Sequence, residues 1–189
     1  MKNVEITRFL ADGTIENKEL SVASEGLLPN GIPGSPEMIE EYEKGYEYIR
    51  SGELMNPNEE VHIPLPKEIM TVMADFLSRK GESEKTGCLH SAALCIKDKV
   101  CYGADDISRH NAIYKAVGAC LKDEKCPGEY YLCTTGRLPL SMVELAQKAG
   151  ISVIVSRSGP TDKALVFAKE NNLKVFCFAS DKSVSSFDD

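Results

Sequence analysis

The sequence predicts an α/β protein built as a three-layer α/β/α sandwich around a mixed, mostly parallel sheet. From Thr86 onward, short apolar runs typical of buried strands alternate with helical repeats of about a dozen residues. Strands that alternate with helices pair in parallel through right-handed crossovers, and the helices then cover both faces of the sheet. With 189 residues, of which 42% are apolar, the chain is long and apolar enough to bury a core.

The N-terminal third carries weaker signals. Residues 4–10 are a strand candidate, and residues 27–36 form a predicted loop rich in Pro and Gly. Ser35 is expected to be the N-cap of a helix that begins at Pro36. Acidic residues in the first turns complement the helix dipole, and the helix is expected to reach about Arg50.

We divide the chain into an N-terminal accessory segment, 1–65, which the sequence defines poorly, and an α/β domain, 66–189. The domain begins with an amphipathic helix over 67–79 that is expected to cover the sheet. The remaining predicted elements are a hairpin of strands 90–96 and 100–105, a helix after Ser108, a strand at 129–135, a helix at 139–150, a strand at 152–156, a helix from Thr161 to about Asn171 and a strand at 174–179.

Composition excludes several classes of function. The net charge of −7 argues against a nucleic-acid-binding surface, because binding to phosphate backbones requires a basic face. No apolar run approaches the roughly 20 residues that span a bilayer, and the N-terminus lacks the apolar core of a secretion signal. We therefore expect a cytoplasmic protein that does not bind membranes. Its seven cysteines are expected to be thiols, and since no two are spaced as CxxC, neither zinc nor another metal is predicted.

Three junctions between a strand and the next helix combine hydroxyl side chains with an arginine, namely Arg109, Arg137 and Arg157. Ligands of open α/β sheets bind beyond the carboxyl ends of the strands, where backbone N–H groups at helix starts attract oxyanions. The three arginines are therefore expected to converge, and Gly136 and Gly159 would let a ligand approach the backbone. The sequence thus predicts a crevice for a phosphate or another oxyanion.

The same residues also have structural interpretations. Ser108 and Thr161 are common helix caps, and the two glycines could be ordinary turn residues. His90 and His110 could be structural histidines, and the two aspartates before Ser108 a solvated turn. The recurrence of such residues at the same end of successive units favours the ligand crevice.

Four stretches of the domain follow one another in a specific order. They read TGCLHSAAL, DDISRHNAIYKAVG, TTGRLPLSMVELAQKAGI and SGPTDKALVFAKENNLKVFCF. Over residues 86–178 this combination resembles the FdhD/NarQ family, the formate dehydrogenase accessory proteins. The resemblance implies a cytidine-deaminase-like fold, usually as a homodimer, and a role in maturing molybdenum- or tungsten-dependent formate dehydrogenase. It also implies sulfur relay, as a sulfurtransferase, from a cysteine desulfurase to bis(molybdopterin guanine dinucleotide), whose nucleotide end is bound.

A guanine dinucleotide with its pyrophosphate suits the predicted oxyanion crevice. The matched stretches and the helix starts together give the candidate cofactor-binding residues. These are Thr86, Gly87, His90, Asp106, Ser108, Arg109, His110, Asn111, Lys115, Thr135, Gly136, Arg137, Ser158, Gly159, Pro160 and Thr161.

The sequence departs from the family pattern in its N-terminal half, which is shortened. Family members carry a cysteine pair in a CGxCG-like loop that supplies the persulfide, whereas this sequence has no cysteine before Cys88. Because Cys88 lies in a matched stretch close to His90, it is the candidate catalytic residue. The alternative is that Cys88 is a small apolar filler.

Two functions therefore remain open. The chain is either an accessory protein that binds the cofactor and relays sulfur, or a cofactor-binding paralogue without sulfurtransferase activity that acts as a carrier or partner protein. A zinc-dependent deaminase is excluded by residues, because His90 is not followed by the H-x-E glutamate and no PCxxC motif is present.

Overall fold

A computed structural model describes residues 2–9, 15–22, 35–57, 61–79 and 88–187. Near the N-terminus, β1 (Lys2–Phe9) and β2 (Ile15–Val22) form an antiparallel pair. The strand predicted at 4–10 corresponds to β1, whereas β2 was not predicted, because its run IENKELSV has few apolar residues. Most of the loop predicted at 27–36 lies outside the described residues.

Two helices precede the main sheet. The first, α1 (Pro36–Ser51), begins as predicted, since the Ser35 side chain accepts a hydrogen bond from the Met38 N–H at 3.4 Å. The second, α2 (Pro66–Ser78), confirms the amphipathic helix predicted over 67–79 and buries an apolar stripe against the sheet. The Glu68 carboxylate accepts a hydrogen bond from the Leu65 N–H at 2.7 Å and so satisfies the start of α2.

The main sheet has six strands in the order β4-β3-β5-β6-β7-β8. Their bounds are β3 (His90–Ile96), β4 (Lys99–Asp106), β5 (Tyr131–Thr134), β6 (Val153–Ser156), β7 (Lys174–Cys177) and β8 (Ser185–Ser186). Pairs β5–β6 and β6–β7 are parallel, and the other pairs are antiparallel. The mixed sheet is therefore confirmed, but its parallel part is limited to β5–β7, because the β3–β4 hairpin and β8 both add antiparallel pairs.

Helices cover both faces of this sheet, which confirms the sandwich. On one face lie α3 (Arg109–Lys122), α4 (Leu140–Lys148) and α5 (Asp162–Glu170), packed on Leu94, Leu132 and Ile154. On the other face, α2 packs on the alternate residues of the strands, such as Ala93 and Tyr131. The likeness to cytidine deaminases stays a prediction.

The helix α1 also packs into this unit. It lies against α3, and its Ile49 is 5% exposed in the same core as the α3 side chains. A helix in this position covers the side of α3 that faces away from the sheet. As a result α3 is buried on two sides, and a charged residue on either of these sides is buried as well.

Two local expectations differ from the structure. Ser108 occupies the N-cap position of α3, but its side chain makes no capping hydrogen bond. The strand predicted at 174–179 ends at Cys177, because Phe178 has φ 53 and leaves the extended conformation.

Candidate functional site

Four strands of the main sheet end at one edge. Because β4 and β5 are both antiparallel to β3, β4 runs in the same direction as β5, β6 and β7. The first residue of β3, His90, lies at this edge opposite Asp106. We name the carboxyl ends of β4 to β7, with the loops that follow them, the edge crevice. The strand directions therefore place the junctions that carry Arg109, Arg137 and Arg157 at one end of the sheet, as expected from the sequence.

The junction between β4 and α3 is held by a buried ion pair. The Lys115 Nζ lies 2.7 Å from the Asp106 Oδ2, and both side chains are 0% exposed. The other carboxylate oxygen, Asp106 Oδ1, accepts a hydrogen bond from the Ser108 N–H at 2.8 Å. Lys115 also donates to the Asp105 carbonyl oxygen at 3.2 Å. Asp106, rather than the Ser108 hydroxyl, therefore fixes the start of α3.

Arg109 is the first residue of α3 and lies against the β5–α4 loop. A Cβ added to Gly136 would approach the Arg109 Cβ at 3.2 Å and its Cδ at 3.3 Å, so the glycine makes room for the stem of the arginine. The Arg109 Nε is buried and has no hydrogen-bond partner among the described residues. Since the first N–H groups of a helix also lack intrahelical partners, several donors are available to an anion here.

Cationic side chains of the crevice affect the pKa of His90. Its pKa is lowered from the ordinary value by burial, and further by the guanidinium groups of Arg109 and Arg137. The three side chains are therefore close enough to interact electrostatically. Burial and the two guanidinium groups both favour the uncharged form of His90, and the guanidinium groups are donors that suit an oxyanion.

Hydroxyl side chains join β3 to β5 at the same edge. The Ser91 N–H donates to the Thr135 Oγ1 at 3.0 Å, and the Thr135 N–H donates to the Ser91 carbonyl oxygen at 3.0 Å. The Thr134 Oγ1 accepts a hydrogen bond from the Gly136 N–H at 3.1 Å. Thr135, one of the predicted site residues, is thus fixed by β3.

A second set of hydroxyls joins β5 to β6. The Ser156 hydroxyl, which is fully buried, donates to the Gly136 carbonyl oxygen at 2.7 Å and accepts from the Ser158 N–H at 3.0 Å. The Ser158 hydroxyl donates to the Thr135 carbonyl oxygen at 3.0 Å. These contacts hold the two loops side by side.

The loops continue in contact as they lead into their helices. The Leu138 N–H donates to the Gly159 carbonyl oxygen at 3.1 Å, and the Thr161 N–H donates to the Leu138 carbonyl oxygen at 2.9 Å. Thr161 caps α5 as predicted, because its Oγ1 accepts a hydrogen bond from the Ala164 N–H at 3.3 Å. Pro160 lies in a parallel bridge with Leu138.

His110 lies on a different side of α3 from the ion pair. Its Nε2 is 3.1 Å from the Ser141 Oγ, and it lines a cleft of about 540 Å³ between α1, α3 and α4, together with Arg50 and Lys148. Burial, and then Arg109, lowers the pKa of His110. His90, Arg109 and Arg137 do not line this cleft, so the His110 side chain faces a different space while remaining near Arg109.

Phe178 follows β7 at the crevice edge. Its side chain is 54% exposed, and the Cζ end of its ring lies against Gly159, where an added Cβ would come within 2.9 Å of Cζ. The Phe178 N–H donates to the Ser158 carbonyl oxygen at 3.4 Å. Sequence reasoning placed this residue inside a strand and missed its exposed position.

The cysteines fall into two groups. Cys88 and Cys101 are exposed. The buried cysteines are Cys95, Cys120, Cys126, Cys133 and Cys177. Burial raises the pKa of Cys120 and of Cys177 to about 12, and it also raises that of Cys101. Cys88 is exposed and lies two residues before His90, which makes it the described cysteine best placed for sulfur chemistry.

The remaining predicted site residues differ in their exposure to solvent. Thr86 and Gly87 lie outside the described residues. Asn111, at the first turn of α3, is 8% exposed, while Arg137 and Arg157 lie on the surface.

Within the described ranges, no group of three or more His, Cys, Asp or Glu side chains is placed to hold a metal ion. In the same ranges no helix has the length and apolarity needed to cross a bilayer.

A model of the FdhD/NarQ family matches residues 40–189, which is most of the chain. The chain belongs to the FdhD/NarQ family. The family resemblance inferred from the four stretches is therefore confirmed. The match begins inside α1 and so extends well ahead of the first of those stretches.

Several curated relatives of this FdhD/NarQ chain are named sulfur carrier protein FdhD. The protein of Bacillus subtilis (strain 168) is 31% identical over 122 residues, which are 65% of this chain and 47% of the relative. That of Listeria innocua is 32% identical over 126 residues, 66% of this chain and 48% of the relative. The chain thus spans about half the length of the curated relatives it matches.

A solved structure supports the fold. A crystal structure from Desulfotalea psychrophila, of a protein provisionally named a formate dehydrogenase accessory protein, has a TM-score of 0.81 and 20% sequence identity. The likeness covers 100% of this chain and 96% of that protein. The α/β fold of this FdhD/NarQ chain is therefore that of a protein of similar length.

Proposed function

We propose that this chain is an accessory protein for formate dehydrogenase that holds the nucleotide end of a guanylated molybdopterin cofactor in the edge crevice. The observation that carries the proposal is Arg109, whose buried Nε has no hydrogen-bond partner among the described residues. A buried polar N–H without a partner costs free energy, which an oxyanion ligand would recover. The names of the curated relatives support the wider role.

The residues of the crevice fit the pyrophosphate of such a nucleotide. Arg109, Arg137 and the first N–H groups of α3 would supply the donors, and the loop at Ser158 to Pro160 would line the opposite side. Asp106 and Lys115 are 0% exposed, so in this proposal they orient α3 rather than touch the ligand. The cofactor, when bound, would supply the metal-binding group that the dehydrogenase needs.

Mass spectrometry of the native protein tests the binding. The wild-type chain is expected to carry a co-purified guanine nucleotide or guanylated pterin, and Arg109→Ala is expected to lose most of it. The matched control is Lys125→Ala, which removes one exposed positive charge beyond the other end of α3, about 20 Å away. Equal retention by Arg109→Ala and Lys125→Ala would contradict the proposed site.

Sulfur relay through Cys88 is the catalytic part of the proposal. The Cys88 thiolate would attack the outer sulfur of a persulfide on a cysteine desulfurase, whose own cysteine leaves as a thiolate, so that Cys88 carries the sulfur. The exposed position of Cys88, two residues before His90, supports this role. Persulfide labelling after incubation with a desulfurase is expected to mark wild type and Cys101→Ser but not Cys88→Ser.

A second candidate function is cofactor binding without sulfur transfer. It is favoured by the burial of most of the cysteines and by the absence of a cysteine before Cys88 in the sequence. In this case the wild-type chain would retain the nucleotide but would accept no transferable sulfur on any cysteine. The labelling and the mass spectrometry together therefore separate the two functions.

The proposed partners are formate dehydrogenase, a cysteine desulfurase and a second copy of the chain, and the proposed location is the cytoplasm. The names of the relatives support the first partner. Light scattering of the purified chain measures its mass in solution. A mass of twice 20.7 kDa is expected for the homodimer.

A further inference from the structure

The cleft between α1, α3 and α4 has the size of a ligand site. Its volume of about 540 Å³ falls within the range of roughly 300–1,000 Å³ that small-molecule sites occupy. We name this space, which Tyr46, Arg50, Tyr114, Glu144 and Lys148 help to line, the helix cleft. Helix faces that meet other helices are usually apolar, whereas the faces around this space carry several polar and charged groups.

Three charged side chains of the helix cleft lack a partner of opposite charge. Arg50 lies in the last turn of α1, and Glu144 and Lys148 lie one turn apart on α4. Side chains four residues apart on a helix often pair, yet within the described ranges none of these three makes an ion pair. The helix cleft therefore presents two cations and one carboxylate to a ligand.

Aromatic rings form the α1 and α3 sides of the helix cleft. The Tyr46 and Tyr114 rings meet edge to face, with centroids 5.3 Å apart, and the Tyr42 ring contacts both of them. These contacts fix the ring of Tyr46, which is still 37% exposed. Ile49 and Leu145 add apolar surface to the lining. An apolar or aromatic side chain of a ligand can pack on this surface.

We propose that the helix cleft binds a free acidic peptide of two or three residues that carries an apolar or aromatic side chain. Such a peptide has two carboxylates, one at its C-terminus and one on its acidic side chain, and an ammonium group at its N-terminus. The carboxylates pair with Arg50 and Lys148, the ammonium group pairs with Glu144, and the apolar side chain packs on Tyr46. Each of the three charges thereby gains a partner.

The charges favour a free peptide over a segment of a longer chain. A chain that enters the helix cleft by one end brings only one of its two termini, and so leaves either Glu144 or one of the two cations without a partner. The site is also independent of the proposed nucleotide site, because His90, Arg109 and Arg137 do not line it.

Calorimetric titration with the dipeptide Phe-Glu tests the inference. Wild type is expected to bind it, and Arg50→Ala, Lys148→Ala and Glu144→Gln are each expected to weaken binding about tenfold or more, because each removes a charged contact. The matched controls are Lys44→Ala and Glu43→Gln, which remove one exposed charge of each sign from α1 outside the lining of the cleft. Both are expected to bind like wild type.

Changes to the dipeptide test the same contacts without altering the protein. Phe-Glu with an acetylated N-terminus and Phe-Glu with an amidated C-terminus each lack one terminal charge, and each is expected to bind wild type about tenfold more weakly. Acetylation is expected to cost little further affinity in Glu144→Gln, whose carboxylate is already absent. Ala-Glu lacks the ring and is expected to bind about threefold or more weakly. These ligands preserve the test if a protein variant fails to fold.

Three outcomes would overturn the inference. The first is a wild-type chain that does not bind Phe-Glu. The second is equal affinity for Phe-Glu and its C-terminal amide, which would assign the helix cleft to the N-terminal end of a longer chain. The third is competition between pyrophosphate and Phe-Glu, which would make the helix cleft part of the edge crevice. Arg109→Ala is expected to lose the nucleotide and to keep its affinity for Phe-Glu, so the proposed function and this inference are tested independently.

Discussion

Two junctions at the same edge of the sheet are held by different chemistry. The β4–α3 junction depends on the Asp106–Lys115 ion pair, with both side chains 0% exposed. The junctions after β5 and β6 depend on neutral hydroxyl groups, of which the buried Ser156 makes two hydrogen bonds. Both arrangements fix backbone around a predicted anion site, but they respond differently when one partner is removed.

The difference follows from the cost of a charge without its partner. Removing one member of a buried ion pair leaves a charge in a medium of low polarity, which costs several kcal/mol. Removing a neutral hydroxyl leaves an unpaired carbonyl or N–H, which costs less. The junction that presents Arg109 is thus the more sensitive one, while the loops that present Arg137 and Ser158 tolerate more change.

Lys115→Met is expected to have the largest effect on stability. It leaves the buried Asp106 carboxylate without its cation and should lower the free energy of unfolding by about 3–5 kcal/mol. Urea denaturation followed by circular dichroism measures the change. The matched variant is Asp106→Asn with Lys115→Met, which removes both charges and keeps the acceptor for the Ser108 N–H.

The double variant is expected to recover much of the loss, because no charge is left unpaired. A double variant as unstable as Lys115→Met would show that packing, rather than charge, dominates at this junction. A loss below about 1 kcal/mol for Lys115→Met would remove the contrast between the two junctions.

Ser156→Ala is expected to have an intermediate effect. It leaves the Gly136 carbonyl and the Ser158 N–H without their partner, at a cost of about 1–3 kcal/mol in the free energy of unfolding. The same denaturation experiment measures it. Ser152→Ala, just ahead of β6 and at its other end, is the control and is expected to change stability by less than about 0.5 kcal/mol. Equal effects of the two substitutions would argue against a special role for Ser156.

Much of the fold could be predicted from sequence because its elements carry strong local signals. The apolar stripe of α2, the caps at Ser35 and Thr161 and the β3–β4 hairpin all agree with the structure. The two-residue strand β8 was not predicted, because pairing with β7 rather than its own residues defines it. Local periodicity contains no information about such a partner.

The site was harder to predict because residue type does not reveal burial. Lys115 and Asp106 were expected to contact the ligand, as charged residues in a matched stretch. Instead α3 lies between the sheet and α1, and the side chains of Lys115 and Asp106 are fully buried. Phe178 was missed for the opposite reason, since an apolar residue in an apolar run predicts a strand interior. In the structure Phe178 has a positive φ and leaves the strand, and its side chain is 54% exposed.

The smallest expected effect is a dependence of the free energy of unfolding on pH, which His90 and His110 cause. Burial lowers the pKa of His90 and of His110, and Arg109 lowers both further. Below about pH 6.5 the unfolded chain therefore binds more protons than the folded chain does. The free energy of unfolding should decrease as the pH falls from about 6.5 through the folded-state pKa of each histidine, and these groups should add no slope at higher pH.

Denaturation between about pH 5 and pH 7.5 measures this slope, and His90→Gln is expected to reduce it. Pyrophosphate offers a sharper comparison, because an anion beside Arg109 and Arg137 would offset their charge and raise the pKa of His90. Saturating pyrophosphate should therefore reduce the slope in wild type and in His110→Gln, and reduce it less in His90→Gln, because Arg109 acts on both histidines but Arg137 acts on His90 alone. A slope that pyrophosphate changes equally in all three would place the anion away from His90 and so away from the edge crevice.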